Sequence, residues 1–337
     1  MKKRGIGISA GLCPVGLKGG GDPSQAQIRL KGDGTFDLLD GAVDIGQGCK
    51  TVLRQIAADE LGVPLESITL SNIDTDSGPW CTGTFASRVT FVDGNAVIRA
   101  AKDLKEKMKV FAATMMEAPP ELLEVADNKI FVIENPENAM SMADLAGAMT
   151  WGGQFPVGTG AFAPGTVHLP DPETGKMTNV AAMAFGATVA EVEVDTETGM
   201  VEILTLVDAF EIGKVVNPLL CKGQVHGGST MGISFALTEN AHPYHPTMDF
   251  AVETLGDYVL TTAADVPAET GHDFVEVPHP DGPFGAKGWT DGLPVDGPAT
   301  AIVAAIHDAI GVWITDLPAT PERILRALES KEEGGGS

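Results

Sequence analysis

Val189-Ala190-Glu191-Val192-Glu193-Val194, then Thr196-Glu197-Thr198-Gly199, then Val201-Glu202-Ile203-Leu204-Thr205-Leu206: apolar and polar residues alternate on both sides of a short turn. Period-two alternation puts one set of side chains on a buried face, so the stretch reads as a β-hairpin. Gly223-Gln224-Val225-His226-Gly227-Gly228 follows, and then an apolar, small-residue run to Leu237. The same order occurs nearer the start. Ala26-Gln27-Ile28-Arg29-Leu30 alternates, Gly32-Asp33-Gly34 turns, and Thr35-Phe36-Asp37-Leu38-Leu39 returns. Next come Gly46-Gln47-Gly48 and a helical pattern with Val52, Leu53, Ile56, Ala57 and Leu61 on one face, stopped by Gly62 with Pro64 beyond. Hairpin, glycine-flanked glutamine and helix, met twice, predict an α+β fold of two pseudo-repeated lobes, each a hairpin or mixed sheet with packed helices. Coincidence of two common hairpins is the alternative left open here.

Outward from these copies, residues 1–150 form the expected first lobe and residues 181–330 the second. Residues 151–180, rich in Gly and Pro, read as an irregular connection. Residues 331–337 read as a tail, with Gly334-Gly335-Gly336-Ser337 an expression linker. Val89, Val92, Ala96, Val97, Ala100, Leu104, Met108 and Phe111 recur at helical spacing and predict a long helix over roughly 87–115 with a core-facing stripe. Pro298 to Ile310 reads as a buried helix closed by Gly311, and Thr320-Pro321-Glu322 opens a last one.

The chain has 337 residues, 43% of them hydrophobic, which is enough for a substantial core. Its formal net charge of −24 would repel a phosphate backbone, which excludes general nucleic-acid binding. No apolar run reaches membrane-spanning length, and glycines interrupt the basic start before any signal-peptide core can form. Cys13, Cys49, Cys81 and Cys221 lie far apart with no CxxC pair. They form neither a disulfide framework nor an iron–sulfur or zinc motif, and a reducing cytoplasm suits them.

Four glycine-rich segments carry the candidate chemistry: 46–48, 83–88, 223–228 and 285–288. The first three are read as preceding helices, whose N-termini offer unpaired N–H groups and partial positive charge to an anion. Glycine also lets a ligand approach the backbone. One such loop alone is an ordinary turn; several converging would suit a large, polar, anionic cofactor. No dinucleotide fingerprint, Walker A, HExxH or GxSxG pattern is present. The seven histidines (His168, His226, His242, His245, His272, His279, His307) lack metal-ligand spacing and read as surface or structural residues, with His226 set apart by its nearness to Gln224.

Taken in order, these segments resemble the xanthine dehydrogenase and aldehyde oxidase family of molybdenum hydroxylases. The run Thr35 to Glu60 and Asp74-Thr75-Asp76 with Gly83-Thr84-Phe85-Ala86-Ser87-Arg88 carry the likeness first. Asp195 to Gly199, Gly213-Lys214-Val215-Val216-Asn217-Pro218 with Gly223-Gln224, and Gly285-Ala286-Lys287-Gly288 continue it. Ala301 to Gly311 and Leu317-Pro318-Ala319-Thr320-Pro321 complete it. The resemblance spans roughly residues 5 to 328 and covers the C-terminal half of the usual molybdenum subunit. It implies a separate subunit, similar to the medium molybdenum subunit of nicotinate dehydrogenase. A large molybdenum subunit would carry the other half, and further partners would be an iron–sulfur (2Fe–2S) subunit, an FAD subunit and a small-molecule substrate. No nucleic acid or membrane is expected.

The implied cofactor is molybdopterin in its cytosine dinucleotide form, its molybdenum held by the pterin dithiolene and by no protein side chain. By position, Ile45, Gly46, Gln47 and Gly48 would contact the pterin. Thr84 and Phe85 would also bind the cofactor, and Ala86, Ser87, Arg88, Val89 and Thr90 would line its pyrophosphate and nucleotide tail. Gln224 would approach the metal's oxygen ligands, and Lys287, Gly288, Trp289 and Thr290 would complete the cofactor loop. The family's catalytic base is a glutamate three residues after the last glycine of that loop; here the position holds Asp291. A side chain one methylene shorter is a departure, since about 1 Å of misplacement can cost on the order of a hundredfold in rate. Three functions follow: hydroxylation of a heteroaromatic ring or aldehyde with water-derived oxygen, another redox reaction of the same cofactor such as reductive dehydroxylation, or a structural subunit without catalysis.

Overall fold

The computed structural model describes the chain apart from residues 18–21, 72–73, 166–170, 177–178, 241–253, 289–291 and 335–337. In chain order the first part runs β1 (Lys2–Leu17), β2 (Ser24–Leu30), β3 (Phe36–Asp40), α1 (Cys49–Leu61), β4 (Ile68–Leu70) and α2 (Val89–Met116). A small meander follows, β5 (Leu123–Ala126), β6 (Lys129–Val132) and β7 (Asn135–Ser141), then α3 (Met142–Trp151) and β8 (Val157–Phe162). The second part runs β9 (Val180–Asp195), β10 (Val201–Glu211), α4 (Pro218–Leu237), β11 (Glu269–Phe274), α5 (Leu293–Ile310) and α6 (Pro321–Gly334). The fold is α+β. None of the described helices is long and apolar enough to cross a membrane.

Both hairpins form as their alternation dictates. In β2, Ala26, Ile28 and Leu30 turn inward while Gln25, Gln27 and Arg29 stay in water. β2 pairs antiparallel with β3, and the sheet runs β4-β3-β2-β8. α1 and α2 cover its inner face, giving a core around Ile28, Phe36, Leu38, Leu53, Ile56, Val97 and Leu104. The second sheet runs β1-β9-β10-β11 and shares a core with α4, α5 and α6 around Val192, Leu206, Ile302, Ile306 and Ile324. A third cluster, including Val15, Phe91, Val92, Phe210, Ile212 and Val225, joins the two halves.

The lobe boundaries read from sequence are crossed by two strands. β1, at the start of the expected first lobe, pairs with β9 in the second sheet, and β8, inside the expected irregular connection, pairs with β2 in the first. Both hid for one reason: each is glycine-interrupted because a helix backbone lies directly on it. A Cβ on Gly5 or Gly7 would stand 2.2 Å from the Ala305 carbonyl or 2.0 Å from that of Ala301, both in α5. A Cβ on Gly158 or Gly160 would stand 2.1 Å from the carbonyls of Ala100 and Ala96 in α2. The two halves thus share a packing device as well as an element order.

Two further differences concern helix ends. Gly223-Gln224 lies within α4 and does not precede it. Asn217 caps this helix by accepting the Leu220 N–H at 3.0 Å, and Pro218 fills the first turn, where no N–H is needed. Gly228 and Gly232 are tolerated inside because α5 packs there, with Pro294 and the Val295 carbonyl within 2.6 Å and 2.4 Å of where a Cβ would be. Lys331, read as tail, belongs to α6, and its Nζ donates to the Ile310 carbonyl at 2.9 Å, closing the end of α5.

Candidate cofactor cleft

Four segments remote in sequence meet in one cleft. Ile45, Gln47, Cys49 and Val52 come from the loop before α1 and its first turn. Thr84, Phe85, Ala86, Ser87, Arg88, Val89 and Thr90 come from the loop before α2. Ile212, Lys214, Val216, Asn217, Leu220, Cys221 and Gln224 come from the end of β10 and the first half of α4, and Ala286 and Gly288 close the rim. Of the expected residues, Ile45, Gln47, the whole 84–90 loop, Gln224 and Gly288 line the cleft. Gly46 and Gly48 shape the loop from behind, at φ 111° and 85°. A Cβ on Gly48 would strike Leu220 at 2.7 Å, so the first glutamine loop sits directly against α4. Trp289, Thr290 and Asp291 lie outside the described residues, as do His168, His242 and His245.

The glutamines differ. Gln47 folds onto its own loop: Oε1 accepts the Ile45 N–H at 2.7 Å and Nε2 donates to the Val43 carbonyl at 3.3 Å. Gln224 is half-buried, and its amide makes no hydrogen bond among the described residues. A half-buried, unpaired amide in a cleft is a group ready for a ligand. The N-terminus of α1 is not free in this sense. Asp44 accepts from the N–H groups of Gly46 at 3.0 Å, Gly48 at 3.1 Å and Lys50 at 3.3 Å. Burial pushes its carboxyl upward, but those three N–H bonds outweigh it and hold it below the usual carboxylate range. Helix α1 therefore already carries its anion.

The 83–88 loop is held in an uncommon shape. Ala86 and Ser87 are both left-handed, at φ 45° and 54°, a conformation that non-glycine residues adopt only where surroundings enforce it. Thr84 enforces it from one side, its Oγ1 accepting the Val43 N–H and donating to the Val43 carbonyl, both at 2.8 Å. Gly16 enforces it from another, donating to the Ala86 carbonyl at 2.9 Å. A Cβ on Gly288 would reach the Ser87 carbonyl at 2.6 Å, so only glycine fits the facing rim.

Arg88 borders the cleft, but its guanidinium turns into the protein and is fully buried. It pairs with Asp22 and with Asp93 at 3.0 Å, and donates to the carbonyls of Gly83 at 2.8 Å and Pro23 at 3.1 Å. Burial disfavours its charge, yet Asp93, Cys81 and Asp22 raise its pKa above the ordinary value. Arg88 thus keeps its expected place on the cleft wall through its backbone, while its side chain ties the loop to the core. Ser24 donates to Asp93, and Asp40 stands behind it with one oxygen accepting the Ala42 N–H at 2.7 Å and the other lacking a donor among the described residues. Burial first, and the Asp93 carboxylate second, push Asp40 well above the usual carboxylate range. A proton on Asp40, shared toward Asp93, accounts for the otherwise orphaned oxygen.

Lys287, expected in the cofactor loop, turns away from the cleft; its Nζ pairs with Glu211 and donates to the Met183 carbonyl at 2.8 Å. Lys214, which sequence reading quoted but did not assign, does line it, and already pairs with Glu276 at 2.9 Å. Cys49 and Cys221 also line it. Burial, helped at Cys49 by nearby Asp44 and Asp40, raises the Cys49 thiol to about 12, and burial raises Cys221 to about 11, so neither is a thiolate near neutrality. Among the described residues no three His, Cys, Asp or Glu side chains cluster closely enough to hold a metal ion. The lining offers hydroxyls, the side-chain amides of Gln47, Asn217 and Gln224, the paired Lys214 ammonium and apolar walls. That donor set fits a polar organic cofactor bringing its own metal ligands. His226 faces away, into a second cavity beyond α4 with Asp208, Ser229 and His272. Burial, His272 and Lys222 lower its pKa below the ordinary imidazole value.

An α+β pair of lobes clasping one deep cleft between glycine-rich loops defines a cofactor-binding module. The family described as molybdopterin cofactor-binding domain matches residues 1–267, and the chain belongs to it, among the molybdenum oxidoreductases related to xanthine dehydrogenase. It is 33% identical over 333 residues to the putative xanthine dehydrogenase molybdenum-binding subunit XdhA of Escherichia coli (strain K12), covering 96% of this chain and 42% of that one. It is 32% identical over 310 residues to the nicotine 6-hydroxylase large subunit of Paenarthrobacter nicotinovorans, covering 90% and 36%. The crystal structure of quinoline 2-oxidoreductase from Pseudomonas putida 86 superposes with a TM-score of 0.82 at 27% identity, covering 97% of this chain and 42% of that one. The chain thus spans less than half the length of these relatives.

Proposed function

We propose that this chain is the molybdopterin-binding part of a multi-subunit, cytoplasmic molybdenum hydroxylase that oxidises a heteroaromatic ring or aldehyde carbon with oxygen from water. A large partner subunit supplies the other half of the molybdenum-binding body, and electrons leave to 2Fe–2S and FAD partners. The observation that carries this reading is the convergence of Gln47, the 84–90 loop, Gln224 and Gly288 on one cleft, in a chain of this family. Two of the relatives are named for nicotine and quinoline, both nitrogen heteroaromatics, which favours that substrate class.

Bound molybdopterin, in its cytosine dinucleotide form, would supply two-electron redox chemistry at molybdenum. The chain's own residues bind and orient it. Ile45 and Val52 would supply an apolar wall for the pterin, Gln224 would offer its free amide to the bound group, and the left-handed Ala86-Ser87 turn would offer backbone to the phosphates. Asp291, at the position of the family's glutamate, would take up the proton at its carboxylate. A base one methylene shorter also favours a second reading, in which the same cofactor runs a reductive dehydroxylation.

The test is the purified complex, analysed for molybdenum, pterin and turnover. Asp291→Ala and Asp291→Asn should keep molybdenum and lose on the order of 10²–10⁴ in rate. Near-normal rates at full molybdenum occupancy would make Asp291 structural. Assays with electron acceptors and with electron donors separate the oxidative from the reductive reaction, and a wild-type complex lacking molybdenum and pterin would end both readings.

A further inference from the structure

One face of the β1-β9-β10-β11 sheet changes character along its length. At the chain-start end of β1 it carries ion pairs: Lys2 with Glu193 at 2.6 Å, and Arg4 with Glu193 at 3.2 Å and Glu191 at 3.8 Å. Further along, the register aligns Ile8, Val189 and Val207 in one row, Ala10, Ala187 and Ala209 in the next, and Leu12 with Phe185 beyond. None of the large side chains is covered: Ile8 is 69% exposed, Leu12 61%, Phe185 48%, Val207 43% and Val189 39%. The opposite face is sealed by α5 against Gly5 and Gly7, so this is one sheet with a finished side and a bare side. A row of aligned β-branched residues is what a sheet presents to a core or an interface.

The bare patch leads to the cofactor cleft. The Phe185 ring lies 5.5 Å from the Lys287 ammonium, and Lys287 stands between Ala286 and Gly288 of the cleft rim. On the β11 side the same face ends in exposed Glu269 and Asp273, which the register places beside Thr205 and Ala209. Neither carboxylate pairs with a cation among the described residues, so a partner with a basic edge would complement this side of the face, on a chain already carrying −24. The XdhA relative extends well beyond the aligned region, which covers 42% of its length. We infer that the bare face, Ile8, Leu12, Phe185, Val189 and Val207, docks the other half of the molybdenum-binding body, carried by a partner chain whose contact surface is apolar at its centre and Lys/Arg-rich at its edge. This inference rests on the molybdopterin reading, and it adds that the partner which covers the sheet also closes the cleft.

The experiment is co-purification of the complete complex through a tag on this chain. The double variant Ile8→Asp, Val207→Asp should reduce recovered partner chain and bound molybdenum at least tenfold, while Lys2→Ala, on the charged end of the same face, should change neither. Ile8→Cys, which keeps a small apolar side chain should the charged variant fold poorly, should resist maleimide labelling in the intact complex and react once the subunits are separated. Wild-type partner stoichiometry in the charged variant, or free labelling of Ile8→Cys within the complex, would overturn the inference. So would a stable homodimer of the wild-type chain that Ile8→Asp dissociates. A complex that assembles through this face yet holds no molybdenum would defeat the cofactor reading alone.

Discussion

Arg88 and Lys287 stand at opposite lips of the same cleft, and each is neutralised inside the protein, but in different proportions. Arg88 faces two carboxylates, Asp22 and Asp93, with Asp40 behind them, all nearly or wholly removed from water. Lys287 faces Glu211 alone, with the Met183 carbonyl as second acceptor, near the surface. The first lip is a charge-dense knot holding a loop in a left-handed turn; the second is a simple strut. These two cationic side chains of the glycine-rich motifs thus shape the lips of the cleft rather than reaching into it, and Lys214, paired with Glu276, is the cation on the lining itself.

The contrast fixes the order of effects. Arg88→Met should destabilise by about 3–5 kcal/mol, because it strands carboxylates that water cannot reach. Lys287→Met should cost about 1–3 kcal/mol, since Glu211 lies close enough to solvent to rehydrate. Denaturant midpoints of the two purified variants check the ranking; equal losses would mean the knot is no tighter than the strut. Asp40 sharpens the same point through pH. Its carboxyl is raised in the folded state, so folding retains a proton that the unfolded chain releases. That group's contribution is complete below the unfolded carboxylate pKa of about 3.9 and is lost as pH rises toward the folded value. Asp40→Asn, which needs no proton, should match the parent near pH 4 and become progressively more stable than it toward pH 8. A pH-independent difference would show that Asp40 is ionised in the fold.

The hairpins, the long helix and the α4–α5 core were legible because alternation and helical spacing report burial directly, as at Ala26-Ile28-Leu30 and at Val97-Leu104-Met108. β1 and β8 were not, because glycines at 5, 7, 158 and 160 replace the inward apolar residues where a helix backbone lies on the strand. The cleft was legible at Gln47, Ser87 and Gln224 through the family resemblance. The inward turn of the Arg88 and Lys287 side chains was not legible because sequence marks a charge without its partner, and Asp22 and Glu211 lie 66 and 76 residues away. Lys214, Asn217 and Cys221 were missed as lining although their motif was quoted; a helix starting at Pro218 would have placed Leu220, Cys221 and Gln224 on one face.

The two glutamines give the smallest effect on the fold and the finest test of the cleft. Gln47 spends both ends of its amide within its own loop, whereas Gln224 spends neither among the described residues. Gln47→Ala should therefore lower stability by about 0.5–1.5 kcal/mol through its lost hydrogen bonds and loosen cofactor retention as the loop frays. Gln224→Ala should leave the denaturation midpoint within about 0.5 kcal/mol of wild type, because it breaks no bond inside the chain. Its cost should fall on the ligand: less molybdenum retained after dialysis, or slower turnover at equal molybdenum content. Gln224→Glu separates those outcomes, since it keeps shape and acceptor oxygens but removes the N–H donor. If Gln224→Glu retains cofactor and turnover, the amide acts only as an acceptor. If Gln224→Ala changes stability while cofactor and rate stay constant, the residue is part of the helix packing and the comparison of the two glutamines fails.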